Sequence, residues 1–164
     1  MNKYGFVALV SGAVVVADQT TKWLITRSFD LHESMPVIDS LFHITYVRNR
    51  GGAFSILADQ PDIVRLPFFG IVAVIAFSAL VYFLHTVAGD QRLLLFALAG
   101  ILGGALGNFI DRMSVGTVVD FLDFHWHDYY WPAFNVADSF ISVGTVIVLM
   151  YSFFDRSGAP GTKS

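Results

Sequence analysis

Four stretches of this chain are long and apolar enough to cross a bilayer, and two of them, residues 66–84 and 93–110, contain no Asp, Glu, Lys or Arg. A hydrocarbon layer about 30 Å thick needs about 20 mostly apolar residues in a helix that rises about 1.5 Å per residue. A third uncharged run, 139–154, reaches that length once the turn from Phe134 is added, which places Asp138 inside it. The remaining stretch, 4–26, carries Asp18 and Lys22 toward one end. Composition agrees: 55% of the 164 residues are hydrophobic and 14% charged, against about 25% charged in soluble domains, and the mean hydropathy is +0.62. These values exclude disorder, and a net charge of −3 without a basic run excludes nucleic acid as a partner. The absence of cysteine removes disulfides, thiolate metal sites and cysteine nucleophiles together.

The spacing predicts an all-α membrane protein, one integral membrane domain over 1–164, with helices at about 4–26, 66–84, 93–110 and 134–154. Val15-Val16-Ala17 resembles a signal-peptide cleavage site, but the apolar run continues into Trp23-Leu24-Ile25, which reads as a retained anchor. Four spans put loops 27–65 and 111–133 on one face and both termini on the other. Counting basic residues does not orient the bundle. Lys3, Arg92, Arg156 and Lys163 lie on the terminal side, Lys22, Arg27, Arg48, Arg50, Arg65 and Arg112 opposite, and several of the latter stand beside acids.

In the first loop, β-branched and aromatic residues from Leu41 to Val47, followed by Asn49-Arg50-Gly51-Gly52, predict a short strand or hairpin ending in a turn. Residues 59–65 are expected to form a brief surface helix. The third loop holds Phe121, Phe124, Trp126, Tyr129, Tyr130, Trp131 and Phe134, a composition suited to the headgroup layer. The tail from Ser157 is expected to fray.

Ionisable side chains at membrane depth cost about 2.5–3.5 kcal/mol each on insertion scales, so each one calls for a reason. Asp18 and Lys22 are four apart and share a helix face, as a structural ion pair would. Asn108, Asp111 and Arg112 fall at i, i+3 and i+4 on the third helix. Gly100/Gly104 and Gly103/Gly107 precede them as small-xxx-small pairs that admit another helix. Arg112 is placed either to face that partner or to snorkel to headgroups. Asp120 interrupts an apolar run, and Asp138 follows Asn135 by three at a helix start, where a carboxylate also meets the positive end of the dipole. Two carboxylates sharing a partly dry site cannot both ionise; one then activates water while its protonated neighbour bonds the scissile carbonyl, as in aspartic proteases. Other chemistries find less support. No Gly-x-Ser-x-Gly is present, Gly89-Asp90 sits in the short second loop, and His125-Trp126-His127-Asp128 with Asp123 suits an interfacial belt as readily as zinc.

Asp18-Gln19-x-x-Lys22, Asn49-x-Gly51-x-Ala53-Phe54, Gly103-Gly104-Ala105-Leu106-Gly107-Asn108-x-x-Asp111-Arg112, Val118-Val119-Asp120-Phe121 and Phe134-Asn135-x-Ala137-Asp138-Ser139 together resemble, in order, the motifs of the bacterial lipoprotein signal peptidases, signal peptidase II. Gly52 stands where that family more often has alanine. The resemblance implies an inner-membrane aspartyl endopeptidase that cuts prolipoproteins before their diacylglyceryl-modified cysteine, with Asp120 and Asp138 as the catalytic pair and no cofactor or metal. It implies that Asn49, Gly51, Asn108, Arg112 and Asn135 line the site or position substrate, supported by Asp111, while Asp18 and Lys22 are structural or substrate-orienting. It also implies cytoplasmic termini, an extracytoplasmic β-element and surface helix, membrane lipid as surroundings, and sensitivity to a globomycin-like inhibitor. The rival reading is a small proton-coupled transporter, which would place its acids near the bundle midplane.

Overall fold

The computed structural model describes residues 1–52, 56–127 and 129–155. Ala53 and Phe54 of the second motif, Asp128 of the histidine cluster, and the tail with Arg156, Ser157 and Lys163 lie outside the described residues.

Four long helices, α1 (Lys3–Ser28), α2 (Asp62–Thr86), α3 (Arg92–Val115) and α4 (Val136–Asp155), have 26, 25, 24 and 20 residues and are apolar enough to cross a membrane. Their outward faces stay apolar: Leu9, Val16, Ile71, Val74, Val146 and Phe153 are exposed, as lipid-facing positions are. α3 is the central element and packs against the other three helices. Glycine makes this possible. A Cβ on Gly103 would lie 2.7 Å from both the Ser11 carbonyl oxygen and Val14 Cβ of α1, and one on Gly104 would collide with the backbone of Ala137 in α4. Val7, Leu80, Leu84, Leu95 and Leu98 close the opposite end of the bundle. There Lys3 Nζ donates to the carbonyls of Leu84 at 2.9 Å and Val87 at 3.0 Å.

The loops form a sheet. β1 (Ser34–Ile38), β2 (Phe42–Asn49), β3 (Val118–Trp126) and β4 (Tyr129–Tyr130) lie in that order, antiparallel throughout. Register runs from Phe42↔Phe124 to Val47↔Asp120 and Asn49↔Val118, so β2 from the first loop pairs with β3 from the third. Ile25, Tyr46, Val119 and Phe121 form the core that seats this sheet on the bundle.

Two loop expectations change. Residues 56–60 form turns, and Asp62 to Arg65 are already the first turn of α2, so no separate surface helix spans 59–65. The apolar run attached to that turn continues the same helix. The third loop is shorter than 111–133, because α3 continues to Val115 and stops at Gly116, whose φ of 73° is the left-handed conformation of a helix end. Its aromatics do not all face outward: Phe124, Trp126, Tyr129, Tyr130 and Trp131 are exposed, with Phe124 stacked on Phe42 at 4.5 Å, whereas Phe121 is buried.

Candidate active site

The head of α4 is fixed by a reciprocal cap. Asp138 N–H donates to Asn135 Oδ1 at 2.9 Å, and Asn135 N–H donates to Asp138 Oδ2 at 3.3 Å, which satisfies two amides that the helix start leaves unpaired. The helix-start reading of Asp138 is therefore correct, and the same cap aims its carboxylate. Asn135 is fully buried, and its Nδ2 also donates to Asp120 Oδ1 at 2.7 Å. One asparagine thus touches both acids. Asp138 Oδ1 accepts from Asn108 Nδ2 at 2.7 Å, and Asp120 Oδ2 accepts from Asn49 Nδ2 at 3.1 Å. Asn49 holds its own turn by accepting from Gly51 N–H at 2.8 Å. Arg112 donates to the Gly51 carbonyl at 3.0 Å, and its guanidinium lies 4.4 Å from the centre of the Phe69 ring. It points at protein, not at headgroups.

Both acids, with Asn49, Asn108 and Arg112, line one cavity of about 1240 Å³. Its wall also includes Arg48 of β2 and Ser139, Ile141, Ser142 and Val143 of α4. Burial, and next the charge of Asp138, raise the Asp120 carboxyl to about 7, against the pull of the Asn49 and Asn135 amides. The pair thus retains a proton near neutral pH, the condition for one acid to accept a proton while the other donates a hydrogen bond.

A second group of charges stands behind the first. Lys22 Nζ lies 2.8 Å from Asp18, 2.9 Å from Asp111 and 2.9 Å from Asn108 Oδ1. Asp18 Oδ1 accepts the Ala137 N–H at 2.9 Å, and Asp111 Oδ2 accepts the Val119 N–H at 3.3 Å. These acids therefore hold the backbone beside Asp138 and beside Asp120.

A model of the signal peptidase II family matches residues 10–154. Lipoprotein signal peptidases of Geobacter sulfurreducens and Listeria monocytogenes are 54% and 40% identical, covering 87% and 94% of this chain and 88% and 97% of theirs. The chain belongs to the signal peptidase II family. A solved bacterial membrane enzyme, 35% identical, superposes with a TM-score of 0.87 over 100% of this chain and 99% of its own. As a member of an aspartic peptidase family, the protein is a multi-pass membrane enzyme.

All ten residues expected at the site, Asp18, Lys22, Asn49, Gly51, Asn108, Asp111, Arg112, Asp120, Asn135 and Asp138, fall into these two linked groups. The transporter reading is not supported, since Asp120 lies in β3 and Asp138 in the first turn of α4, both at one end of the helices. The histidines lie outside these two groups: His125 packs edge-on against His43 at 4.5 Å and stacks on Tyr130 at 5.3 Å, while Asp123, on the cavity wall, accepts from Thr45. Among the described residues no three His, Asp or Glu side chains form a metal-sized group. Sequence reasoning missed two contributors. Gln19 donates to Asp111 at 2.9 Å, and Arg65, 1% exposed, bonds the carbonyls of Arg50 and Gly116. The signal for Arg65 was Asp62 three residues earlier, a helical ion pair just ahead of an apolar run.

Proposed function

We propose that this signal peptidase releases the signal peptide of a diacylglyceryl-modified prolipoprotein, cutting before its lipidated cysteine, with Asp120 and Asp138 as the catalytic pair. The observation that carries this reading is a single cavity whose wall holds both carboxylates, each oriented by neutral amides. One acid, ionised, takes a proton from a water molecule as that water attacks the scissile carbonyl. The other, protonated, donates to the carbonyl oxygen and stabilises the developing oxyanion. Proton return to the leaving amine then completes hydrolysis. Asn49, Asn108 and Asn135 keep the four carboxylate oxygens from rotating, and Arg112 fixes the Gly51 turn at the cavity edge.

A cavity whose wall combines charged side chains such as Arg48 and Arg112 with apolar ones such as Ile141 and Val143 suits a substrate that is part peptide and part diacylglycerol. Such a substrate reaches the site by diffusing in the plane of the membrane. In this reading the enzyme resides in the bacterial inner membrane with both termini in the cytoplasm and the pair near the outer leaflet. A globomycin-like cyclic peptide would compete for the same cavity.

The test is cleavage by the purified full-length enzyme in lipid, comparing a diacylglyceryl-modified prolipoprotein with the same polypeptide unmodified. The lipidated form should be cut before its cysteine about 100-fold faster or more, because lipid remote from the bond contributes transition-state binding. Equal rates, or cleavage elsewhere, would overturn the proposal.

A further inference from the structure

Arg65 is buried in the first turn of α2, and the reaction described above assigns it no part. Its Nη1 donates to the carbonyl oxygens of Arg50 and, at 2.6 Å, of Gly116; its Nη2 donates to Asp62 Oδ1 at 2.6 Å. These two carbonyls belong to the segments that leave and enter the β2–β3 ladder. The last pair of that ladder is Asn49↔Val118, so the sheet itself holds neither Arg50 nor Gly116. Arg50 stands between Asn49, which donates to Asp120, and Gly51, whose N–H fixes the Asn49 side chain. Gly116 lies two residues before β3, the strand that carries Asp120. A planar guanidinium can bridge two carbonyls at a set spacing, which an ammonium cannot do.

We infer that Arg65 is a positioning residue of this peptidase: by bridging the Arg50 and Gly116 carbonyls it keeps Asn49 within hydrogen-bond reach of Asp120. The inference rests on the proposed catalytic role of Asp120 and Asp138. The Asn49 amide stabilises the Asp120 carboxylate, so loosening it shifts Asp120 toward its protonated form. The other charges that face Asp120 are Asp138 from α4, Lys22 from α1 and Arg112 from α3, with Asp111 of α3 on the neighbouring Val119 N–H. Arg65→Lys leaves each of these residues in the chain and keeps the positive charge that Arg65 places near Arg112.

The experiment measures kcat and KM against pH with a lipidated prolipoprotein, for the full-length enzyme, Arg65→Lys, Asn49→Ala and the double variant, with thermal unfolding in parallel. Arg65→Lys keeps the charge and removes the fork. It should lower kcat about 10- to 100-fold with KM nearly unchanged, and raise the acidic limb of the profile by up to about one pH unit. The double variant should be no slower than Asn49→Ala alone, because both break one connection. Should Arg65→Lys fail to fold, Asp62→Asn, at an exposed position, weakens the carboxylate that pairs with both Arg65 and the Arg50 side chain, and should raise the limb by less. An unmoved limb, or losses that add in the double variant, would overturn the positioning role. An inactive unsubstituted enzyme would instead overturn the catalytic reading, and this inference with it.

Discussion

Two sets of acids, all buried except the half-buried Asp138, stand side by side at one end of the bundle and are held in opposite ways. Asp18 and Asp111 share the ammonium of Lys22 at 2.8 and 2.9 Å. Asp120 and Asp138 receive amides from Asn49, Asn108 and Asn135, and among the described residues no ion pair reaches them. Asn108 joins the sets, accepting from Lys22 and donating to Asp138. A cation in contact balances charge and locks backbone; neutral amides fix orientation without a contact ion pair, which suits acids that exchange a proton. Under the proposed function, the choice of partner separates acids that brace from acids that react.

The largest expected effect breaks the reacting set. Asp120→Asn and Asp138→Asn should each reduce cleavage of a lipidated prolipoprotein by about 10³-fold or more, with the thermal midpoint preserved. Asp120→Asn should also flatten the pH dependence of stability. Folded Asp120 binds its proton more tightly than the unfolded chain does, so its contribution weakens as pH rises from 3.8 to about 7. Next, Lys22→Met strands two buried carboxylates. It should cost about 3–5 kcal/mol of stability, measured by denaturant or thermal unfolding in detergent, and activity should fall further than the folded fraction does, because Lys22 also faces Asp120 and holds Asn108. The smallest effect should come from Asn108→Ala, which cuts the link: about 1–3 kcal/mol of stability and about tenfold in kcat. A loss confined to either quantity would show that the two sets are not coupled.

The spans were legible because length and apolarity alone decide them; residues 66–84 and 93–110 admit no other reading in a chain without charge there. The acids were legible one by one, since charges at membrane depth stand out, and the Asp18–Lys22 pair was read from its spacing; the pairing of Asp120 with Asp138 came only from the resemblance, and that Lys22 also holds Asp111 was not read. The sheet was only half legible. Leu41 to Val47 reads as a strand, but its partner β3 lies about 70 residues on, and nothing local in Val118–Trp126 says that its hydrogen bonds go to β2 and not to a headgroup layer. Pairing at such separation is settled by the bundle that brings the loops together. Arg65 escaped for the same reason: its partners, Arg50 and Gly116, are 15 and 51 residues away.

Isotope-edited infrared spectroscopy of aspartate carboxyls, followed across pH in the full-length enzyme, tests most directly whether amide-held acids share a proton. A protonated carboxyl band should persist through weakly acidic pH, titrate with a midpoint near 7 and vanish in Asp120→Asn. Full ionisation of every aspartate above about pH 5, as for ordinary carboxylates, would contradict the account.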